Sequence, residues 1–431
     1  MDIEALRAKL AATPAVRATG RVLGVTGLAL RFSLPGVRVA DVVHVKRRGQ
    51  PLLPCEVVGF AEGEAIAMPL GSLKGVGLDD EVEATGGPLE VRAGDALLGR
   101  VMDGLGRPLE GGVPGGALVP VDRDPPSALA RRPIAVPLAT GVRVLDALLT
   151  LGEGQRIGLF AGSGVGKSML LGAIARGTSA DVVVVALVGE RGREVGEFLE
   201  HSLGKEGRAR SVVVAATSDA PALERLRAAQ VATAYAEYFR DQGKRVLLLV
   251  DSVTRFARAQ REIGLAAGEA PARRGYPPSV FAMLPRILER SGNGERGSIT
   301  AIYTVLVEGG DLDEPIADEV RGILDGHVVL DRVIAARGRY PAVDVTASLS
   351  RVMDRVVESS HLEAARKLRA HVAAFEAKRD LIALGAYAKG SDREVDDAIA
   401  HMPRIEALLC QDASEKVPFH ESVEMLREAV R

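Results

Sequence analysis

The chain has 431 residues, 47% of them hydrophobic, enough for two or three globular domains with sizeable cores. Lys plus Arg (55) nearly balances Asp plus Glu (57), so no overall charge field favours a nucleic acid or an acidic membrane as partner. Cys55 and Cys410 stand far apart without C-x-x-C spacing, which argues against a thiolate metal site and for a reducing compartment. No apolar run approaches the ~18 residues of a membrane span, and a cytoplasmic protein is expected.

At the start of the chain, Ile3, Leu6 and Leu10 fall at helical spacing between charges. They predict a short amphipathic helix within residues 1–15, either a docking handle for a partner or a packed terminus. From residue 16 to 92 short apolar runs such as Val42-Val43-His44-Val45 are broken every eight to twelve residues by Gly or Pro, the rhythm of a small β-barrel. A Gly/Pro-rich connector, Gly104 to Pro137, opens the next region, residues 93–358. There, buried-strand runs (Ile157–Ala161, Val182–Val188, Ser211–Ala216, Val246–Val250, Ile299–Leu306) alternate with helical stretches such as Ala220–Gln242. That alternation implies a parallel sheet covered on both faces, an α/β domain. Residues 359–431 carry no strand-like run and read as a helical domain.

Residues 161–168, A-G-S-G-V-G-K-S, lie between the first of those strands and a helix-like stretch starting at Met169. Strand, glycine turn and helix are the parts of a phosphate-cradling loop: glycines turn backbone N–H groups inward, and the helix start offers a positive dipole end. The cradle comprises Gly162, Ser163, Gly164, Val165, Gly166, Lys167, Ser168 and Met169, with Lys167 reaching the β- and γ-phosphates of a nucleoside triphosphate and the Ser168 hydroxyl holding Mg²⁺. Ala161 replaces the usual first glycine, which is tolerable only at ordinary β dihedrals.

Asp251 ends the run Val246–Val250 and so belongs at the carboxyl end of a buried strand, where it would hold Mg²⁺ through water; the competing role is a helix N-cap. Glu190, the first carboxylate past Val182–Val188, is the candidate for orienting the attacking water, although an exposed salt-bridged glutamate would look the same. Arg191 either approaches the γ-phosphate or holds Glu190 in place, and Glu194 can pair with it on the helix surface.

The block Tyr340-Pro341-Ala342-Val343-Asp344 through Ser348-Leu349-Ser350-Arg351 resembles the signature of the rotary ATPase α/β superfamily. Gly275-Tyr276-Pro277-Pro278-Ser279-Val280-Phe281-Ala282, Asp251-Ser252-Val253-Thr254-Arg255 and Gly385-Ala386-Tyr387-Ala388-Lys389-Gly390 are similar to the flagellar and type III protein-export ATPases. Flagellar and injectisome features are mixed. The resemblance implies an ATP hydrolase built as barrel, RecA-like nucleotide domain and helical domain, six copies forming a ring with Arg351 as an arginine finger given in trans. It also implies Tyr340 stacked on adenine, with Phe419 either the opposite wall or a core residue. The implied partners are a regulatory protein at the N-terminal helix, a central coiled-coil stalk, an export-gate membrane protein, and chaperones with their cargo, at the cytoplasmic face of the inner-membrane export apparatus. Three rivals remain: a rotary ATP synthase subunit, a non-catalytic ring subunit and an RNA translocase. The Gly275–Ala282 block, the presence of Glu190, and only Phe32 and Phe60 as aromatics in residues 1–90 argue against them in turn.

Overall fold

The computed structural model describes residues 18–431, and the expected N-terminal helix lies outside them. Six strands, β1 (Thr19–Thr26), β2 (Ala29–Ser33), β3 (Asp41–Lys46), β4 (Leu53–Ala61), β5 (Glu64–Pro69) and β6 (Glu81–Pro88), close into a barrel in the order β1-β2-β5-β4-β3-β6. Alternation does the work: Leu30 and Phe32, and Val43 and Val45, two apart along their strands, all point into the barrel and are buried. Cys55 joins them, and burial pushes its thiol up to about 12, so it is inert packing.

The connector is not a loose tether. Glu90–Ala93 pairs with Ala117–Pro120, and Arg131 and Arg132 donate to backbone carbonyls of Ser291, Gly294 and Arg296. A buried ion pair fastens the barrel from another side. Arg227 Nε donates to Glu56 Oε2 at 2.7 Å, and burial raises the Glu56 carboxyl even though Arg227 opposes it.

The central sheet contains β7 (Val101–Asp103), β8 (Arg156–Ala161), β9 (Val182–Glu190), β10 (Ser211–Thr217), β11 (Arg245–Asp251), β12 (Ser298–Leu306), β13 (Gly326–Leu330) and β14 (Val343–Ser350). Their order is β14-β13-β8-β12-β11-β9-β10-β7, and Gly292–Asn293 beside β12 makes a nine-stranded sheet among the described residues. Neighbours run parallel as expected, except that β14 is antiparallel to β13, and Gly292–Asn293 to β12. All nine residues of β9 are buried because each face is covered. Val184, Ala186 and Val188 pack on the face carrying helices α2 (Ala222–Asp241) and α3 (Val253–Ala266). Val183, Val185 and Leu187 pack on the face carrying α1 (Lys167–Gly177).

Three further helices, α4 (Ser359–Ala383), α5 (Arg393–Leu409) and α6 (Phe419–Ala429), extend that second core through Leu368, Ile405 and Leu426. Parallel strands bring the carboxyl ends of β8, β9 and β11 to one edge. Ligands of open α/β sheets bind at that edge.

Candidate active site

The glycine turn begins where β8 stops. Ala161 is the last residue of β8, buried and paired with Leu306 and Leu330, so it keeps ordinary extended geometry. Positive φ falls on Gly164 (79°) and Gly166 (87°), the latter capping α1, so the alanine costs nothing. Lys167 and Ser168 then open the helix, where unpaired backbone N–H groups favour an anion.

Three strand ends supply the charges. Lys167 Nζ donates to Asp251 Oδ1 and stands 3.5 Å from Glu190 Oε1. Asp251 is only 2% exposed and accepts a 2.7 Å hydrogen bond from Thr304 Oγ1. Glu190 Oε2 lies 3.1 Å from Arg255 Nη2, whereas its buried Oε1 has no hydrogen bond. Burial, proton sharing with Glu194 and the Asp251 charge push the Glu190 carboxyl up to about 7, against the pull of Lys167 and Arg255. An under-satisfied carboxylate oxygen beside a phosphate cradle is suited to accept from a water. Ser168 and Asp251 offer hard oxygen donors of the kind Mg²⁺ takes, so the residues present fit that ion.

Arg191 is not part of this cluster. Its side chain is 80% exposed and pairs with Glu194 at 3.6 Å, while Arg255 holds Glu190 and also donates to the Gly189 carbonyl. Sequence reasoning assigned Arg255 no role. The available signal was its place one helical turn beyond Asp251, on a helix capped by Ser252.

Beside the loop lies a cavity of about 630 Å³ lined by Gly164, Gly166, Met169 and Tyr340 on one side and Cys410 to Ala413 on the other. A Cβ at Gly166 would sit 3.3 Å from the Tyr340 ring, so glycine there lets the aromatic close on the loop. Gln411 fixes the far wall: its backbone N–H donates to the Tyr340 carbonyl at 2.8 Å, and its side chain bridges Arg143 N and Gly141 O. Phe419 does not reach this cavity. It opens α6, half-buried, and packs edge-on against His361 of α4, ring centroids 6.0 Å apart, so the structure sets Phe419 away from the cavity that Tyr340 lines. The wall of this cavity opposite Tyr340 is the Cys410–Ala413 turn.

Arg351 stands elsewhere. Register places Val343 beside Leu330, which pairs with Ala161 at the loop, but Ser350 beside Gly326 at the opposite end of the sheet. The four steps of β13 between those two pairs span roughly 13 Å, and β14 covers the same distance with extra residues bulged out between Asp344 and Leu349. Tyr340 precedes β14 and is at the loop, whereas Arg351 follows it, exposed, with Nη1 donating to the Leu324 carbonyl at 3.3 Å. Within one subunit Arg351 and Lys167 are therefore not brought together.

Comparison with known proteins agrees with this architecture. Residues 141–350 match the nucleotide-binding domain of the ATP synthase alpha/beta family, and residues 357–428 match the T3SS EscN ATPase C-terminal domain. The flagellum-specific ATP synthase of Bacillus subtilis (strain 168) is 51% identical over 96% of this chain and 95% of its own. A type 3 secretion system ATPase of Xanthomonas euvesicatoria is also 51% identical, over 98% of this chain and 96% of its own. The assembled ATPase EscN of enteropathogenic E. coli, solved with its central stalk EscO, superposes with a TM-score of 0.88 at 44% identity, covering 96% of this chain and all of that one. Equal likeness to both export branches, and family matches on both the nucleotide and C-terminal regions, lead to one conclusion: the chain belongs to the flagellar and type III secretion ATPases of the ATP synthase alpha/beta family, hydrolases of ATP.

Proposed function

We propose that the chain is a Mg²⁺-dependent ATP hydrolase that energises protein export through a flagellar or type III secretion apparatus, working as a homohexameric ring. Lys167 and backbone N–H groups of the loop hold the phosphates, and Ser168, with Asp251 acting through water, would hold the metal. Glu190, steadied by Arg255, orients water in line with the γ-phosphate. Bound Mg²⁺ would supply charge for the spreading transition state, and Tyr340 with the Cys410–Ala413 turn would grip the base.

The observation that carries the ring is the placement of Tyr340 and Arg351 at opposite ends of one strand. An arginine roughly 13 Å along the sheet from its own loop is placed to complete a neighbour's site rather than its own, and repeating that head-to-tail contact closes a ring. The relative solved with its central stalk supports a stalk partner here too. Association with the inner-membrane export gate, chaperones and cargo, and with a regulator at residues 1–15, is carried by family membership. The synthase, non-catalytic-subunit and RNA-translocase readings fit less well, since the relatives are export ATPases and Glu190 is in place.

The test is complementation. Arg351→Ala and Lys167→Ala chains, each expected to be inactive alone, should regain part of the wild-type phosphate release when co-assembled through mixed interfaces. Proven co-assembly without recovery would defeat the trans geometry.

A further inference from the structure

The phosphate end of the site holds a cation that no role above uses. Three arginines, Arg255, Arg258 and Arg332, line the cavity of about 430 Å³ that contains Gly162, Lys167 and Glu190. Arg255 is paired with Glu190, and Arg258 with Glu308 at 3.1 Å. Among the described residues the Arg332 side chain has neither a hydrogen bond nor an ion pair.

The backbone that carries the exposed Arg332 side chain is nonetheless fixed. It opens the short helix Arg332–Ala336, whose first turn is fixed by Asp331 Oδ1 accepting from Ile334 N at 2.8 Å. Asp331 directly follows β13, the parallel neighbour of β8, so the helix starts beside the beginning of the glycine turn. The guanidinium lies next to Gly162: a Cβ there would come within 2.9 Å of Arg332 Nε. A glycine kept free of side chain beneath a guanidinium, in a cavity whose other cations are already matched with acids, leaves one positive group facing the anion site.

We infer that Arg332 is a phosphate-contacting residue acting in cis, donating from its guanidinium to the β/γ end of the triphosphate bound in its own subunit. The fork of donors suits a phosphate oxygen pair better than an ammonium would. Arg332 lines the phosphate cavity but not the base cavity, so its effect is confined to nucleotides that carry the β- and γ-phosphates. Eight residues on from Arg332, Tyr340 touches the base end, so the segment 332–340 spans the two ends of the nucleotide site.

This inference rests on the ATP-binding reading and deepens it. The experiment is calorimetric titration of the full-length wild-type chain and its Arg332→Gln, Arg332→Lys and Lys167→Ala variants with MgATP and, separately, AMP. A charge-assisted contact predicts that Arg332→Gln binds MgATP about ten- to a hundredfold more weakly, with AMP binding unchanged and partial recovery in Arg332→Lys. Wild-type MgATP affinity in Arg332→Gln, or an equal loss for AMP, would overturn the inference. Failure of the wild-type chain to bind MgATP, or a Lys167→Ala chain that binds it as well as wild type, would instead strike at the ATP site itself.

Discussion

Replacing Glu190 by Gln isolates charge from shape. The amide keeps the volume of the carboxylate and an oxygen that can still accept from Arg255, which lies 3.1 Å from Glu190 Oε2. What disappears is the anion whose other oxygen is buried without a hydrogen bond. Positioned acid–base groups of this kind contribute ~10²- to 10⁴-fold, about 3 to 5 kcal/mol of barrier. Phosphate release by Glu190→Gln should therefore fall by about that factor while MgATP affinity stays within a few-fold of wild type. The pH profile sharpens the test. With the carboxyl pushed up to about 7, the active anion is lost as pH falls through that value, so wild-type kcat/KM should rise through about pH 7. Glu190→Gln should lack that limb. Stability runs the other way: a folded-state value above the ordinary 4.5 contributes stability that is complete below 4.5 and lost as pH rises through about 7. Wild type should thus lose stability relative to Glu190→Gln across that window. Near-normal turnover in the variant, or an unchanged rising limb, would refute the assignment.

Arg255→Ala should lower kcat by an order of magnitude or more with modest change in KM, because it frees Glu190 and the Gly189 carbonyl without removing a phosphate contact; steady-state kinetics would check this, and an unaltered kcat would count against it. Tyr340→Ala should raise KM for ATP about tenfold through loss of an aromatic face, whereas Phe419→Ala should leave KM alone and cost about 3 kcal/mol of stability at most, measured by denaturant unfolding. Glu56→Gln leaves the Arg227 guanidinium buried without its anion, so it should destabilise the chain by about 3 to 5 kcal/mol.

Much of this was legible where structure is local. Runs such as Val182–Val188 announce a strand buried on both faces, and A-G-S-G-V-G-K-S carries its turn geometry in its own glycines. Asp251 and Glu190 could be placed because the first carboxylate beyond a parallel strand has few places to go. The misses are tertiary. Tyr340 meets Gln411 across some seventy residues, and nothing periodic in Cys410 to Ala413 signals the wall of a cavity beside the loop. Phe419 drew attention through the family resemblance, while its packing on His361 depends on how α4 and α6 cross. Arg191 and Arg255 are equally basic. Only the fold shows that Arg255 reaches inward from a covered helix while Arg191 caps an exposed one.

The antiparallel course of β14 has a mechanical consequence. One bulged strand carries Tyr340, beside the glycine loop, just ahead of one tip and a guanidinium just past the other. Should Tyr340 hold the base and Arg351 meet the adjoining subunit's terminal phosphoryl group as proposed, any sliding of this strand against β13 would loosen or tighten two fuel chambers at once. Timing around the ring would then need no separate messenger.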